Sequence, residues 1–66
     1  MQVGVTHEGE EHSVEVDDGA TIRKVLELLD IPPSTVLAIH DGIIVPHDSR
    51  ITSDISIELV VVSSGG

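Results

Sequence analysis

The sequence predicts an α+β domain with elements in the order β-β-α-β-β-β, in which one helix covers one face of a sheet. Three observations carry this reading. Aliphatic residues alternate with polar ones along much of the 66-residue chain, a 3.6-residue helical stripe occurs once, and an Asp-Gly pair joins two aliphatic runs.

Val3 and Val5 alternate with Gln2, Gly4 and Thr6, and Val14 and Val16 alternate with Ser13 and Glu15. The polar run His7-Glu8-Gly9-Glu10-Glu11-His12 between them makes a first hairpin with a glycine-containing turn. Asp17-Asp18-Gly19-Ala20 breaks the second strand. Ile22, Val25, Leu26 and Leu29 then fall at i, i+3, i+4 and i+7, one apolar helix face, which leaves Arg23, Lys24 and Glu27 to solvent. Thr21 is the expected N-cap, because its hydroxyl can accept from an orphan amide of the first turn. Pro32-Pro33 forbids the helix to continue.

In Val36-Leu37-Ala38-Ile39-His40-Asp41-Gly42-Ile43-Ile44-Val45-Pro46, the central Asp-Gly supplies the positive φ angles of a two-residue type I′ turn. His40 then opposes Ile43, Ile39 opposes Ile44 and Ala38 opposes Val45. Leu37, Ile39 and Ile44 are expected against the helix, with Val36, Ala38, His40, Ile43 and Val45 on an open, semi-apolar face. Pro46 fits an edge strand. Ile55, Ile57, Leu59 and Val61 alternate with Ser56, Glu58, Val60 and Val62, so the last strand is apolar on both faces near its end and is expected at the centre of the sheet.

Composition narrows the function. The chain has no cysteine and no aromatic residue, so its core is aliphatic and it holds neither a disulfide framework nor a thiol nucleophile. Twelve acidic residues against three basic ones give a net charge of −9, which argues against nucleic acid and anionic membranes and fits equally a basic protein surface as partner and adaptation to high salt. No apolar run approaches a membrane span and no signal-like apolar core follows Met1-Gln2, so a cytosolic monomer is expected. The histidines give an incomplete metal site: His7 and His12 flank one turn, whereas the register keeps His40 and His47 apart. No convergent nucleophile, base and oxyanion donor can be assembled, so no catalytic residue is assigned.

The first hairpin, the helix, the run from Leu37 through Asp41-Gly42 to Val45-Pro46 and a closing strand into Gly65-Gly66 resemble the β-grasp proteins over the whole chain. These include the ubiquitin-like sulfur carriers of thiamine and molybdopterin synthesis and the small archaeal modifier proteins, of which the last are the most similar. The chain departs from the thiamine and molybdopterin carriers in having Ser53-Asp54, rather than Gly-Asp, before the final strand. The resemblance implies a mixed sheet in which the first and last strands lie side by side and parallel. It also implies that an adenylating enzyme of the ubiquitin-activating type uses ATP to activate the Gly66 carboxylate. Sulfide from a persulfide donor then gives a thiocarboxylate for tRNA thiolation or molybdopterin synthesis, or a target lysine gives an isopeptide bond. Nucleophile, ATP and metal belong to the partners, so no cofactor is expected on the chain.

Three groups of candidate residues follow. Residues 1–62 form the domain, and residues 63–66 form a flexible tail that reaches about 13 Å when extended and ends in Gly65 and Gly66, which lack Cβ atoms and can thread a narrow channel. Ala38, Ile43, Val45, Val60 and Val62 form an expected partner-docking patch. Lys24, the sole lysine, is the candidate acceptor if copies are joined to one another, with the amino terminus as the other option. A dedicated sulfur carrier, and a binding module whose diglycine is never activated, are the competing readings.

Overall fold

The computed structural model describes residues 1–62. Seven strands, one α-helix and a short 3-10 helix follow in the order β1 (Gln2–His7), β2 (Glu10–Glu15), β3 (Ala20–Thr21), α1 (Ile22–Leu28), the 3-10 helix Pro33–Thr35, β4 (Val36–His40), β5 (Ile43–Val45), β6 (Arg50–Ile51) and β7 (Ile55–Val61). Five strands form the main sheet in the order β2-β1-β7-β4-β5, and the two-residue strands β3 and β6 pair separately. β1 runs parallel to β7 and the other pairs are antiparallel, so the main sheet is mixed and β7 is its centre. The sequence did not announce β3 and β6, which are too short to carry a periodicity.

Both hairpins close through two-residue turns. Asp41 and Gly42 have φ of 54° and 79°, and Glu8 and Gly9 have 51° and 80°, the double positive φ of a type I′ turn. The second turn sets the predicted pairing of Ala38 with Val45, Ile39 with Ile44 and His40 with Ile43. In the first, the loop is tighter than the polar run implied: His7 already pairs with Glu10.

The helix is fixed at both ends. Thr21 Oγ1 accepts from Lys24 N at 3.2 Å, as expected of the N-cap. Two more first-turn amides are taken up by a distant loop, Ile22 N donating to Ser49 O and Arg23 N to His47 O, so three of the donors a helix start leaves unpaired are satisfied. The helix stops at Leu28, ahead of the prolines. Leu29 is its C-cap, and Asp30 turns left-handed with φ of 60°. Asp30 N then donates to Glu27 O, and Ile31 N to Leu26 O at 2.9 Å, the Schellman arrangement that glycine usually makes. Pro32-Pro33 instead caps and opens the 3-10 helix.

Val3, Val5, Ile22, Val25 and Leu26 are the most buried large side chains, joined by Val16, Ile31, Val36, Ala38, Ile51, Ile57 and Leu59. Among the described residues no polar or charged side chain is buried. Cohesion therefore comes from aliphatic contact and the backbone ladders.

Two substitutions test this account by urea denaturation. Leu26→Ala opens a cavity costing about 2–5 kcal/mol, comparable to the whole stability of so small a domain, and should abolish the cooperative transition. Asp30→Gly relieves a left-handed side chain and should raise stability by about 0.5–1 kcal/mol.

Candidate functional site

The helix lies on the side of the sheet occupied by Val3, Val5, Ile57 and Leu59, and the register with β7 decides which side of β4 joins it. Ala38 pairs with Leu59 and Val36 with Val61, whereas Leu37 pairs with Val60 and Ile39 with Glu58. Ala38 and Val36 are accordingly in the core, and Val45, opposite Ala38, packs half-buried against it. The expected assignment of faces is thus reversed. Both sides of β4 and β5 are aliphatic, so their alternation does not tell which side turns inward.

The expected docking patch consequently divides. Ala38, fully buried, offers nothing to a partner, and Val45 offers little. Ile43 is 67% exposed but alternates onto the helix side, at the turn end of β5. Val60 lies on the opposite, open face, and Val62, exposed just past β7, continues its alternation. The residues that join Val60 are Leu37, Ile39 and Ile44, which the sequence placed inward. Ile44 is 60% exposed, Leu37 and Val60 are each about a third exposed, and Ile39 is half-buried.

These four side chains are direct cross-strand neighbours: Ile44 faces Ile39 and Leu37 faces Val60. Such partners stand about 4.5–5.5 Å apart at Cβ. Their row continues across the sheet from Ile39 to Glu58, then Thr6, then Glu11. The open face is therefore apolar over β5, β4 and the end of β7, and acidic or hydroxylic beyond. Gly4 lies in the polar half, where a Cβ would come 3.3 Å from Ser56 Oγ. The available signal for the true face was the outward set of β7, in which Ser56 and Glu58 precede Val60.

Val62 N donates to Thr35 O at 2.9 Å, so the chain is tied to the domain at the last described residue. Gly65, Gly66 and the rest of the expected 63–66 tail lie outside the described residues. Lys24 is exposed in the first turn of α1. The Met1 amine donates to Val16 O at 2.7 Å and lies 3.5 Å from Glu15 Oε2. His40 Nδ1 lies 2.9 Å from Ser56 O, while His7 and His12 pair with Glu10 and Val5. Among the described residues no three His, Cys, Asp or Glu side chains are grouped to hold a metal ion, and no helix is long and apolar enough to cross a membrane.

A five-stranded mixed sheet with parallel β1 and β7, one helix on one face and an apolar patch on the other define a ubiquitin-like β-grasp protein. Solved structures agree on the fold. The ubiquitin of Caldiarchaeum subterraneum superposes with a TM-score of 0.74 at 19% identity, over 100% of this chain and 98% of that one. ATBAG1, solved in complex with HSP70, matches with a TM-score of 0.77 at 8% identity, over 92% of this chain but only 40% of that one. No curated protein matches the sequence. The model of the small archaeal modifier protein 2 family matches residues 1–62, and the chain belongs to that family of ubiquitin-like modifiers.

The two faces of β4 can be told apart by chemical denaturation. Ala38→Leu overfills the core and should cost about 1–3 kcal/mol. Ile44→Ser, on the open face, should change stability by only about 0.5 kcal/mol; the opposite ranking would restore the sequence-based assignment.

Proposed function

We propose that the protein acts through the carboxylate of Gly66, which an activating enzyme adenylates. The carboxylate attacks the α-phosphorus of ATP and pyrophosphate leaves, giving an acyl-adenylate whose leaving group is AMP. The persulfide of a sulfur donor displaces AMP to give an acyl disulfide, and a thiol reduces this to a thiocarboxylate for tRNA thiolation or molybdopterin synthesis, donor and thiol leaving joined as a disulfide. Alternatively, a lysine amine of a target protein displaces AMP to give an isopeptide bond. The chain supplies the electrophile and the docking surface, and the partners supply ATP, nucleophile and any metal. Membership of a modifier family implies activating enzymes and conjugation targets in general, and the chemistry is that of a cytoplasmic carrier.

The observation that carries this reading is the placement of β7. It is the central strand, and Val62 is held by Thr35 O immediately before Ser63-Ser64-Gly65-Gly66. A carboxylate leaving the middle of a sheet has a fixed origin four residues away. The apolar patch of Leu37, Ile39, Ile44 and Val60 lies beside that origin, Val60 being part of the same strand, and serves as the docking contact. Exposed apolar patches of this kind mark interaction sites. Lys24, the only lysine and exposed, or the amino terminus is the acceptor when one copy is joined to another.

Incubation with ATP, a sulfide donor and the activating enzyme, followed by intact-mass analysis, tests the reading. The full chain should show the adenylate and then the exchange of one oxygen for sulfur. Removal of Gly65-Gly66 should abolish both while leaving the unfolding transition in place. Ile44→Asp should lower kcat/KM for adenylation about tenfold or more, roughly 1.4 kcal/mol. An unchanged mass with an enzyme that activates a related modifier would sink the proposal.

A further inference from the structure

Among the described residues β2 is an edge of the main sheet, paired on one side alone, and its residues Glu10, Glu11, Ser13 and Glu15 are exposed. The orientation of its unpaired groups follows from the ladder. Val16 N donates to Met1 O, and the Met1 amine donates to Val16 O, so that pair is hydrogen-bonded. Antiparallel pairs alternate between bonded and non-bonded. Glu10, His12 and Val14 therefore turn their backbone groups toward β1, and Glu11, Ser13 and Glu15 turn theirs outward.

At the Glu15 end this edge opens into a groove of about 370 Å³ between residues 15–20 and the α1 residues Lys24 and Leu28. Val16 and Ala20 contribute apolar surface, and Leu28 is 51% exposed although it sits on the groove wall. Asp17 and Asp18 line the groove together with Lys24, while the Glu15 carboxylate stands on the open side at its rim, 3.5 Å from the Met1 amine.

We propose that this edge and groove bind an extended segment of a partner protein in which aliphatic residues alternate with lysine or arginine, added to the sheet alongside β2. Backbone pairing to Glu11, Ser13 and Glu15 supplies the ladder. Residues facing those three side chains share the open side of the sheet, where Glu11 and Glu15 select positive charge. The intervening residues point to the helix side, and the one nearest Val14 and Val16 enters the groove against Leu28. Charge excludes a second copy as occupant, because each copy carries −9 and would place glutamates opposite glutamates. The other edge, β5, is three residues long and runs into Pro46, leaving little ladder to offer. The surface is separate from the Leu37–Ile44 patch.

The test uses the full chain, without ATP or activating enzyme, so its outcome is independent of the chemistry at Gly66. A short capped peptide alternating valine and lysine is titrated while amide hydrogen exchange is followed residue by residue. Protection of the Glu11, Ser13 and Glu15 amides is expected, with those of Leu37 and Ile44 unchanged. Leu28→Ser should weaken binding about tenfold, and Glu11→Gln with Glu15→Gln should reduce its salt dependence. The proposal is overturned by protection centred on the open face, by equal affinity for a peptide with its valines and lysines in separate blocks, by self-association through β2, or by no binding.

Discussion

The main sheet consists of two hairpins that touch each other only through β7. On one side β1 supplies a parallel ladder from Val3 to His7, and on the other β4 supplies an antiparallel ladder from Val36 to Ile39. Without β7, each hairpin is a two-stranded ribbon, which is marginally stable in water. Insertion of the last strand is therefore the step that creates a surface wide enough for α1 to cover. The contact is also the most non-local in the fold, joining the start of the chain to its end, so loop-closure entropy is met before the core can repay it.

The core assembled around that strand is entirely aliphatic, and backbone hydrogen bonds tie the irregular segments to it. The loop after β5 illustrates this. It forms no long element of its own, yet it delivers carbonyls to the first turn of α1, places Ile51 in the core and pairs Arg50 and Ile51 with β3. One irregular segment thus fixes the helix over the sheet. Polar function is left to the surface, where the acidic and apolar halves of the open face sit side by side.

Much of the architecture was legible in the residues. Asp41-Gly42 determined a hairpin and its register because only a few residue types accept two successive positive φ angles. Thr21 identified the helix start, and the doubly apolar end of β7 marked the central strand. Burial of β4 was not legible, because both of its faces are aliphatic and the choice between them depends on pairing with β7, about twenty residues away. Asp30 concealed the end of α1, since a left-handed aspartate carries a cap that sequence patterns assign to glycine. The short β3–β6 pair left no periodicity to read. For the site, the interest of Gly65-Gly66 was apparent at once, whereas the patch had to be reassembled as Leu37, Ile39, Ile44 and Val60 once the faces were known.

Because β7 is bonded to β1 on one side and β4 on the other, it also determines how the domain responds to mechanical load. A force drawing on Val62 along the strand axis acts in shear on both ladders at once, so their hydrogen bonds resist together instead of opening one after another. An unfolding machine that grips the chain from that end meets the fold in its strongest direction, whereas one pulling outward on β2 would peel an edge strand bond by bond.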